Sequence, residues 1–264
     1  MVSGQVSLLA DARPPFPPGV GDFFLPGIAG AYPWLTKFTL MVWFAVALII
    51  LFFLVSYRKP QLVPTKSQWL AESMYGFIRD GVAKEVIGAR DGLRFAPYLA
   101  SLFLFLLVTN VFGIIPFLQI SPNAHIAFPA TLAILSYILY LAVGVRKHGL
   151  VGYFKLAAIP PAPGYLLPLL IPIELVQNFI TRPVTLALRL FANMFAGHLL
   201  LLVFTLGGFV LATSSSGLIK TFSPFSFLMA IVITLFELFV AALQAYVFTI
   251  LTASYVESSL AESH

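Results

Sequence analysis

Residues 185–203 read TLALRLFANMFAGHLLLLV, an apolar run that is interrupted by Arg189, Asn193 and His198. Such a run is typical of a helix buried in lipid, where an ionisable side chain costs several kcal/mol unless a polar partner or water meets it. We therefore interpret these three residues as functional and relate the rest of the chain to them.

The composition is that of a helical membrane protein. Hydrophobic residues make up 60% of the chain and charged residues 9%, and the mean hydropathy is +0.98, which exceeds what a soluble core needs. A lipid-facing barrel would alternate apolar and polar residues, and these long apolar runs do not alternate. We predict an all-α, polytopic fold with about five crossings.

The net charge of +5 is explained by membrane topology rather than by nucleic-acid binding. Ten of the fifteen Lys and Arg residues fall within 58–94 and 146–155. Because cytoplasmic loops carry such an excess, both segments are predicted to lie inside. The N-terminus is then outside and the C-terminus cytoplasmic, and no nucleic-acid partner is expected.

The chain is predicted to consist of an outer N-terminal arm, 1–36, and a single membrane domain, 37–264. The arm is rich in proline and glycine and lacks the basic start of a cleaved targeting segment. The last two apolar runs are too long for upright crossings, so they are predicted to form a strongly tilted helical hairpin. The predicted elements are span 1 at 37–57, a surface amphipathic helix at 66–90, span 2 at 95–118, span 3 at 126–145, and the hairpin of 165–212 and 222–257.

Polar residues of this hairpin are arranged about one centre. The midpoint between Arg189 and Gln244 is 216.5 and that between His198 and Glu237 is 217.5, so both fall at the Ser-rich turn of 213–217. An antiparallel pair folding at that turn would place Arg189 opposite Gln244 and His198 opposite Glu237. At 100° per residue, His198 points about 180° away from Arg189, so the two residues meet different surroundings.

Polar residues also form two clusters at different depths, one on each side of the arginine. A carboxylate and a histidine can relay protons near neutral pH, whereas an arginine stays charged and cannot pass a proton on. The pattern favours proton transfer through two offset half-channels that an arginine separates. The clusters are an outer one of His198, Glu237 and Asn110 and an inner one of Glu174, Asn178 and Glu257, with Arg189 between them.

Leu188–Asn193, followed by Ala196-Gly197-His198, resembles the signature of the subunit a family of F-type ATP synthases, in its bacterial form. The resemblance extends from about Pro172 to Glu257. It implies a proton-translocating stator subunit that is not catalytic alone and lies in a bacterial plasma membrane, with the mitochondrial inner membrane as the alternative. The implied partners are a ring of c subunits that each carry one carboxyl, the peripheral-stalk b subunits and the rest of the complex.

The resemblance also assigns roles to individual residues. It implies that Arg189 is the essential arginine and that Gln244 and Asn193 are polar residues of the same motif. The positions of His198 and Glu237 hold an acid and a histidine in either order in the family, and here the histidine comes first.

Two other functions and several structural roles remain open from the sequence. A proton-coupled secondary transporter would predict inverted repeats, which the sequence lacks, and a membrane scaffold would not need Arg189 in register with Gln244. Arg189 could pair structurally with an acid, and Asn110 could be a helix–helix hydrogen-bond former. The chain offers no metal-ligand spacing and no phosphate-binding loop, so no cofactor or nucleotide is expected. As the transported ion, H+ is favoured over Na+.

Overall fold

Helices make up the architecture of residues 36–115, 121–158, 166–213 and 217–261, which the computed structural model describes. No strand occurs within these ranges. The predicted all-α, polytopic fold is therefore confirmed, whereas the predicted arm lies outside the described residues apart from Thr36. Five stretches of the described chain are long and apolar enough to cross a membrane: Lys37–Ser56, Ala89–Val111, Ala127–Lys155, Leu167–Thr213 and Ser223–Leu260.

The elements follow one another with short connections. Two π-helical segments, Arg79–Ile87 and Gln177–Thr181, and a 3-10 turn, Pro122–Ala124, separate some of the α-helices. In chain order the α-helices of the described residues are α1 Lys37–Ser56, α2 Lys66–Ile78, α3 Ala89–Val111, α4 Ala127–Ala158, α5 Leu167–Val176, α6 Arg182–Thr213, α7 Gly217–Lys220 and α8 Ser223–Leu260.

Local hydrogen bonds fix where the first helices begin. The Thr36 hydroxyl accepts a hydrogen bond from the Thr39 N–H, and the Thr65 hydroxyl accepts one from the Gln68 N–H. Each threonine thus caps donors that the first turn of its helix leaves unpaired. Gly88, at a φ of 107°, ends the first π-helical segment in a conformation that favours glycine and lets α3 leave in a new direction.

The charged segment before α3 is amphipathic. Ile78 and Val82 are fully buried against the helical core. On the outer face Asp80 forms ion pairs with Arg79 and Lys84, and the Arg79 guanidinium, followed by the Lys84 ammonium, holds the pKa of the Asp80 carboxyl well below its usual range. One side of the segment therefore packs on the transmembrane helices while the other is charged.

The core is centred on α3, α6 and α8. The contact between α6 and α8 is the most extensive in the described chain. Ala241, Ala245 and Ala253 of α8 are fully buried, and Leu99 and Leu106 of α3 pack in the same cluster. Because small residues let helix backbones approach closely, polar side chains on these helices can reach one another directly.

The stretch from α5 to α6 is longer than a membrane is thick. Its 47 residues would extend about 70 Å as helix, against a hydrocarbon core of about 30 Å. Pro172 lies inside α5, and the π-helical segment Gln177–Thr181 joins it to α6. The stretch must therefore bend or cross at a strong tilt, which lets α6 run along α8.

Candidate functional site

The two polar residues that were expected to face each other across the hairpin are in contact. His198 Nδ1 on α6 lies 2.6 Å from Glu237 Oε1 on α8. Each side chain is only 3% exposed. The expected juxtaposition of these two residues is thus confirmed, and it places a carboxyl and an imidazole together inside a membrane helix pair.

The hydrogen bonds of His198 determine which of its nitrogens carries a proton. The backbone N–H of Ser121 lies 2.8 Å from His198 Nε2, and an N–H can only donate. Nε2 therefore accepts with its lone pair, so that the proton of the neutral imidazole is on Nδ1 and is donated to Glu237 Oε1. In this arrangement Glu237 is the acceptor of the pair.

The other carboxyl oxygen of Glu237 is available. Glu237 Oε2 is buried and has no hydrogen-bond partner among the described residues. A buried polar atom without a partner points to a functional role or to water, because leaving it unsatisfied costs about 1–3 kcal/mol. The geometry thus gives Glu237 one oxygen held by His198 and one on which a proton can arrive or leave.

The turn that contains Ser121, whose N–H donates to His198, is stabilised by hydrogen bonds among buried amides and hydroxyls. The Ser121 hydroxyl donates to the Thr109 carbonyl at 2.9 Å, and Asn123 Nδ2 donates to Thr109 Oγ1 at 2.9 Å and to Asn110 Oδ1 at 2.8 Å. Asn110 Nδ2 in turn donates to the Ala241 carbonyl of α8 at 3.2 Å. Asn110 therefore joins α3, the 3-10 turn and α8, and its role in an outer proton pathway stays a prediction.

Sequence analysis did not single out Ser121, Asn123 or Thr109. The available signal was the position of Ser121 and Asn123 in a short connection between two apolar spans that contains polar residues but no Lys, Arg, Asp or Glu. These residues become part of the site only because the fold packs this connection against α6. The periodicity of the sequence does not predict that packing.

Arg189 lies on the outer surface of the described chain. Its side chain is exposed, as is that of the adjacent Leu188, and it has no ion pair or hydrogen bond with any described residue. The structural pairing with Glu174 or Glu237 is therefore not seen in the described chain. The arginine is thus left available to a group outside the described residues.

The expected neighbour of Arg189 is engaged by another residue of the same motif. Gln244 Oε1 accepts a hydrogen bond of 2.7 Å from Asn193 Nδ2, one helical turn along α6 from Arg189. Gln244 Nε2 is buried and has no hydrogen-bond partner among the described residues. The residue of α6 that contacts Gln244 is therefore Asn193, and the placement of Arg189 opposite Gln244 stays a prediction.

Two of the three residues of the predicted inner cluster meet. Asn178 Nδ2 donates to Glu174 Oε1 at 3.3 Å and to the Ala157 carbonyl at 2.9 Å, and the Tyr140 hydroxyl donates to the Asn178 carbonyl at 3.0 Å. Asn178 Oδ1 is buried without a partner in the described chain. Glu257, by contrast, is exposed. Within the described residues it forms no hydrogen bond with Glu174 or Asn178.

A cavity of about 630 Å³ opens between α5, α6 and α8 on this side of the arginine. Arg182, which sequence analysis did not select, lines it: its guanidinium carbon lies 5.2 Å from the centre of the Tyr255 ring, and Nη1 donates to Ser258 Oγ at 3.4 Å. Gln177 and Thr181 of the π-helical segment add polar groups to the wall. A space large enough for water, with polar groups in a mostly apolar wall, thus lies beside the inner cluster.

These features define a class of protein. A bundle of membrane-spanning helices that buries a histidine–carboxyl pair, and exposes an arginine that no described residue pairs about 14 Å away along the same helix, has the groups of a membrane protein that moves protons. The chain belongs to the ATP synthase A chain family, whose model matches residues 39–257. As a member, it is a proton-translocating, non-catalytic component.

Individual relatives agree with the family match. The chain is 44% identical over 252 residues to ATP synthase subunit a of Pseudarthrobacter chlorophenolicus and 41% identical over 260 residues to that of a Nocardioides species, with 94% of each chain covered. It is 40% identical to the Streptomyces lividans protein over 94% of this chain and 88% of the relative. Nothing in these matches supports a secondary transporter.

Proposed function

We propose that this chain conducts protons through two offset half-channels to the carboxyls of a rotating c-subunit ring. The observation that carries the proposal is the buried His198–Glu237 pair on the opposite face of α6 from Arg189, which is exposed and has no partner among the described residues. Protons enter by the pair on the outer side and leave through the inner cluster beside the cavity. Arg189 faces the ring between the two routes.

In the outer half-channel Glu237 changes its protonation while His198 remains neutral. Protonating His198 at Nε2 would break its bond to the Ser121 N–H, whereas Glu237 Oε2 can take a proton without loss of any described hydrogen bond. His198 then acts as the donor that keeps the carboxylate oriented. Asn110 is proposed to support this route by holding in place the turn that contains Ser121 and Asn123.

In the inner half-channel the Glu174 carboxylate receives the proton that the ring releases, and Asn178, whose Nδ2 donates to Glu174 Oε1, holds that carboxylate in position. Arg189 attracts the ring carboxylate and favours its ionised form, which favours release of the proton on this side. The exposed Asn193 keeps the neighbouring helix surface polar, and the buried Gln244 accepts a hydrogen bond from its side chain. Glu257, exposed near the end of α8, is proposed to sit at the mouth of the route.

The partners and location follow from the same role. We propose that the chain contacts the c ring through the Arg189 face, and the peripheral-stalk b subunits and the rest of the ATP synthase through other surfaces. It is proposed to lie in the bacterial plasma membrane with the N-terminus outside and the C-terminus in the cytoplasm, since the basic loops then face inward. H+ is the proposed coupling ion.

The position of His198 can be tested through the residue behind it. A Cβ on Gly113 would lie 2.3 Å from His198 Cε1 and 2.6 Å from Nε2, so Gly113→Ala is expected to displace the ring and lower ATP-driven proton pumping by about tenfold or more. The measurement is vesicle acidification per assembled complex. Gly76→Ala is the matched control, because nothing lies within 4 Å of the added carbon. Wild-type pumping by Gly113→Ala would contradict the proposed placement of His198.

The tautomer of His198 can be tested separately from pumping. Nitrogen NMR of the complex labelled with 15N-histidine is expected to show the Nδ1–H form, with the signal identified by its loss in His198→Asn. Ser121→Ala keeps the backbone N–H and should keep this form. Ser121→Pro removes the N–H at a φ of −76° that proline tolerates, and it is expected to shift the signal.

An Nε2–H form in the wild-type protein would contradict the proposed direction of the His198–Glu237 bond. So would a signal that does not change in Ser121→Pro although the complex assembles.

A further inference from the structure

An apolar groove lies between α1, α3 and α4, and none of the residues of the proposed proton route lines it. It has a volume of about 620 Å³, and its walls are aliphatic and aromatic apart from the Tyr98 and Ser101 hydroxyls. The apolar wall is formed by Val46, Ile49 and Ile50 of α1, Leu102 and Phe105 of α3, and Leu132, Leu135, Ile138, Leu139 and Ala142 of α4.

The groove continues into a polar mouth. A second opening, of about 560 Å³, shares Leu139 and Ala142 with the groove, so that the two are adjoining parts of one surface. Its charged lining consists of Arg94, Arg146, Lys147 and Asp91. Three positive charges thus face one negative charge at one end of an apolar groove.

The two arginines of the mouth are not used within the described chain. Arg94 and Arg146 make no ion pair or hydrogen bond with any described residue, whereas the Lys147 ammonium donates to the Leu260 carbonyl. Arg94 and Arg146 come from different helices, α3 and α4, and line the same opening. Two planar, multidentate donors in this position suit a phosphate group.

The dimensions correspond to one leaflet of a bilayer. From Leu132 to Arg146 the α4 wall extends about 21 Å, against about 15 Å for half of a hydrocarbon core and a few Å more for its headgroup region. The apolar part is therefore about as long as an acyl chain, and the basic mouth lies at headgroup depth.

We propose that this surface binds one anionic phospholipid, with the acyl chains in the groove and the headgroup phosphate against Arg94 and Arg146. A free phosphate would leave the apolar part unoccupied. A transmembrane helix of a neighbouring subunit would extend across both leaflets, whereas this surface is one leaflet deep and cationic at one end. Length and charge together therefore favour a lipid.

The test uses the assembled complex in vesicles that contain phosphatidylglycerol with a photoactivatable group in its acyl chain. We expect crosslinks to peptides of α3 and α4 that line the groove. Unlabelled phosphatidylglycerol should compete for the site, while phosphatidylcholine and soluble glycerol phosphate should not. Because each basic residue near the surface contributes about fivefold to anionic-lipid binding, Arg94→Gln with Arg146→Gln should lower crosslinking by about 25-fold.

The matched control is Arg58→Gln with Arg90→Gln, which removes two exposed arginines that do not line the mouth; it should leave crosslinking unchanged. Equal labelling by phosphatidylcholine would overturn the proposal, as would equal loss in both double variants. Competition by glycerol phosphate would identify a phosphate site rather than a lipid site. Absence of lipid crosslinks to the groove peptides in the assembled complex would also overturn it.

Discussion

Arg189→Ala is expected to abolish ATP-driven proton pumping in inverted membrane vesicles. The arginine is exposed and unpaired within the described chain, so its charge is available to a carboxylate of the proposed c ring. Without the arginine that carboxylate loses the interaction that favours its ionised form, and the two proposed half-channels are no longer separated.

The variant should distinguish loss of coupling from loss of conduction. After the catalytic sector is stripped from the membranes, passive proton flux through Arg189→Ala should equal or exceed that of the wild type. Arg189→Lys, which keeps a positive charge but not the planar fork, should retain part of the pumping. Arg58→Ala is a matched control at an exposed arginine outside the site. Normal pumping by Arg189→Ala would rule out the proposed role of the arginine.

The second large effect is expected at the outer half-channel. Glu237→Gln keeps the shape of the side chain and an oxygen that accepts from His198 Nδ1, so the helix pair should remain intact. It removes the group that takes up the proton, and both ATP-driven pumping and passive conduction should fall by about 100-fold or more. This pattern differs from that of Arg189→Ala, in which passive conduction persists.

Both fluxes should be measured on the same vesicles, with complex content determined by immunoblot. Glu85→Gln, which neutralises an exposed acid outside the site, is the matched control and should pump normally. Retention of passive conduction in Glu237→Gln would place the outer route elsewhere.

The sequence was sufficient to predict the parts of the fold that depend on the length of the apolar runs and on the equal distances of paired polar residues from the turn. Five apolar runs predicted five crossings, and the common centre of the polar pairs predicted that His198 and Glu237 meet. The depth of a residue in an antiparallel hairpin follows from its distance to the turn, so these predictions needed no tertiary information.

Features that depend on helix rotation or on distant connections could not be predicted in this way. Asn193 rather than Arg189 contacts Gln244, because the facing of two helices is set by packing along their whole length. Ser121 reaches His198 from 77 positions away in the chain. The π-helical segment Gln177–Thr181 and the inward position of Arg182 depend on packing against α8 and leave no periodic signal.

The central claim is that the leak freed by removing Arg189 runs through the His198–Glu237 pair. The most direct measurement is passive proton flux in stripped vesicles that carry Arg189→Ala alone or together with Glu237→Gln. Our account predicts high flux in the single variant and a fall of about 100-fold in the double variant, because both share one outer route. Equal flux in the two variants would show that protons bypass Glu237 and would contradict the account.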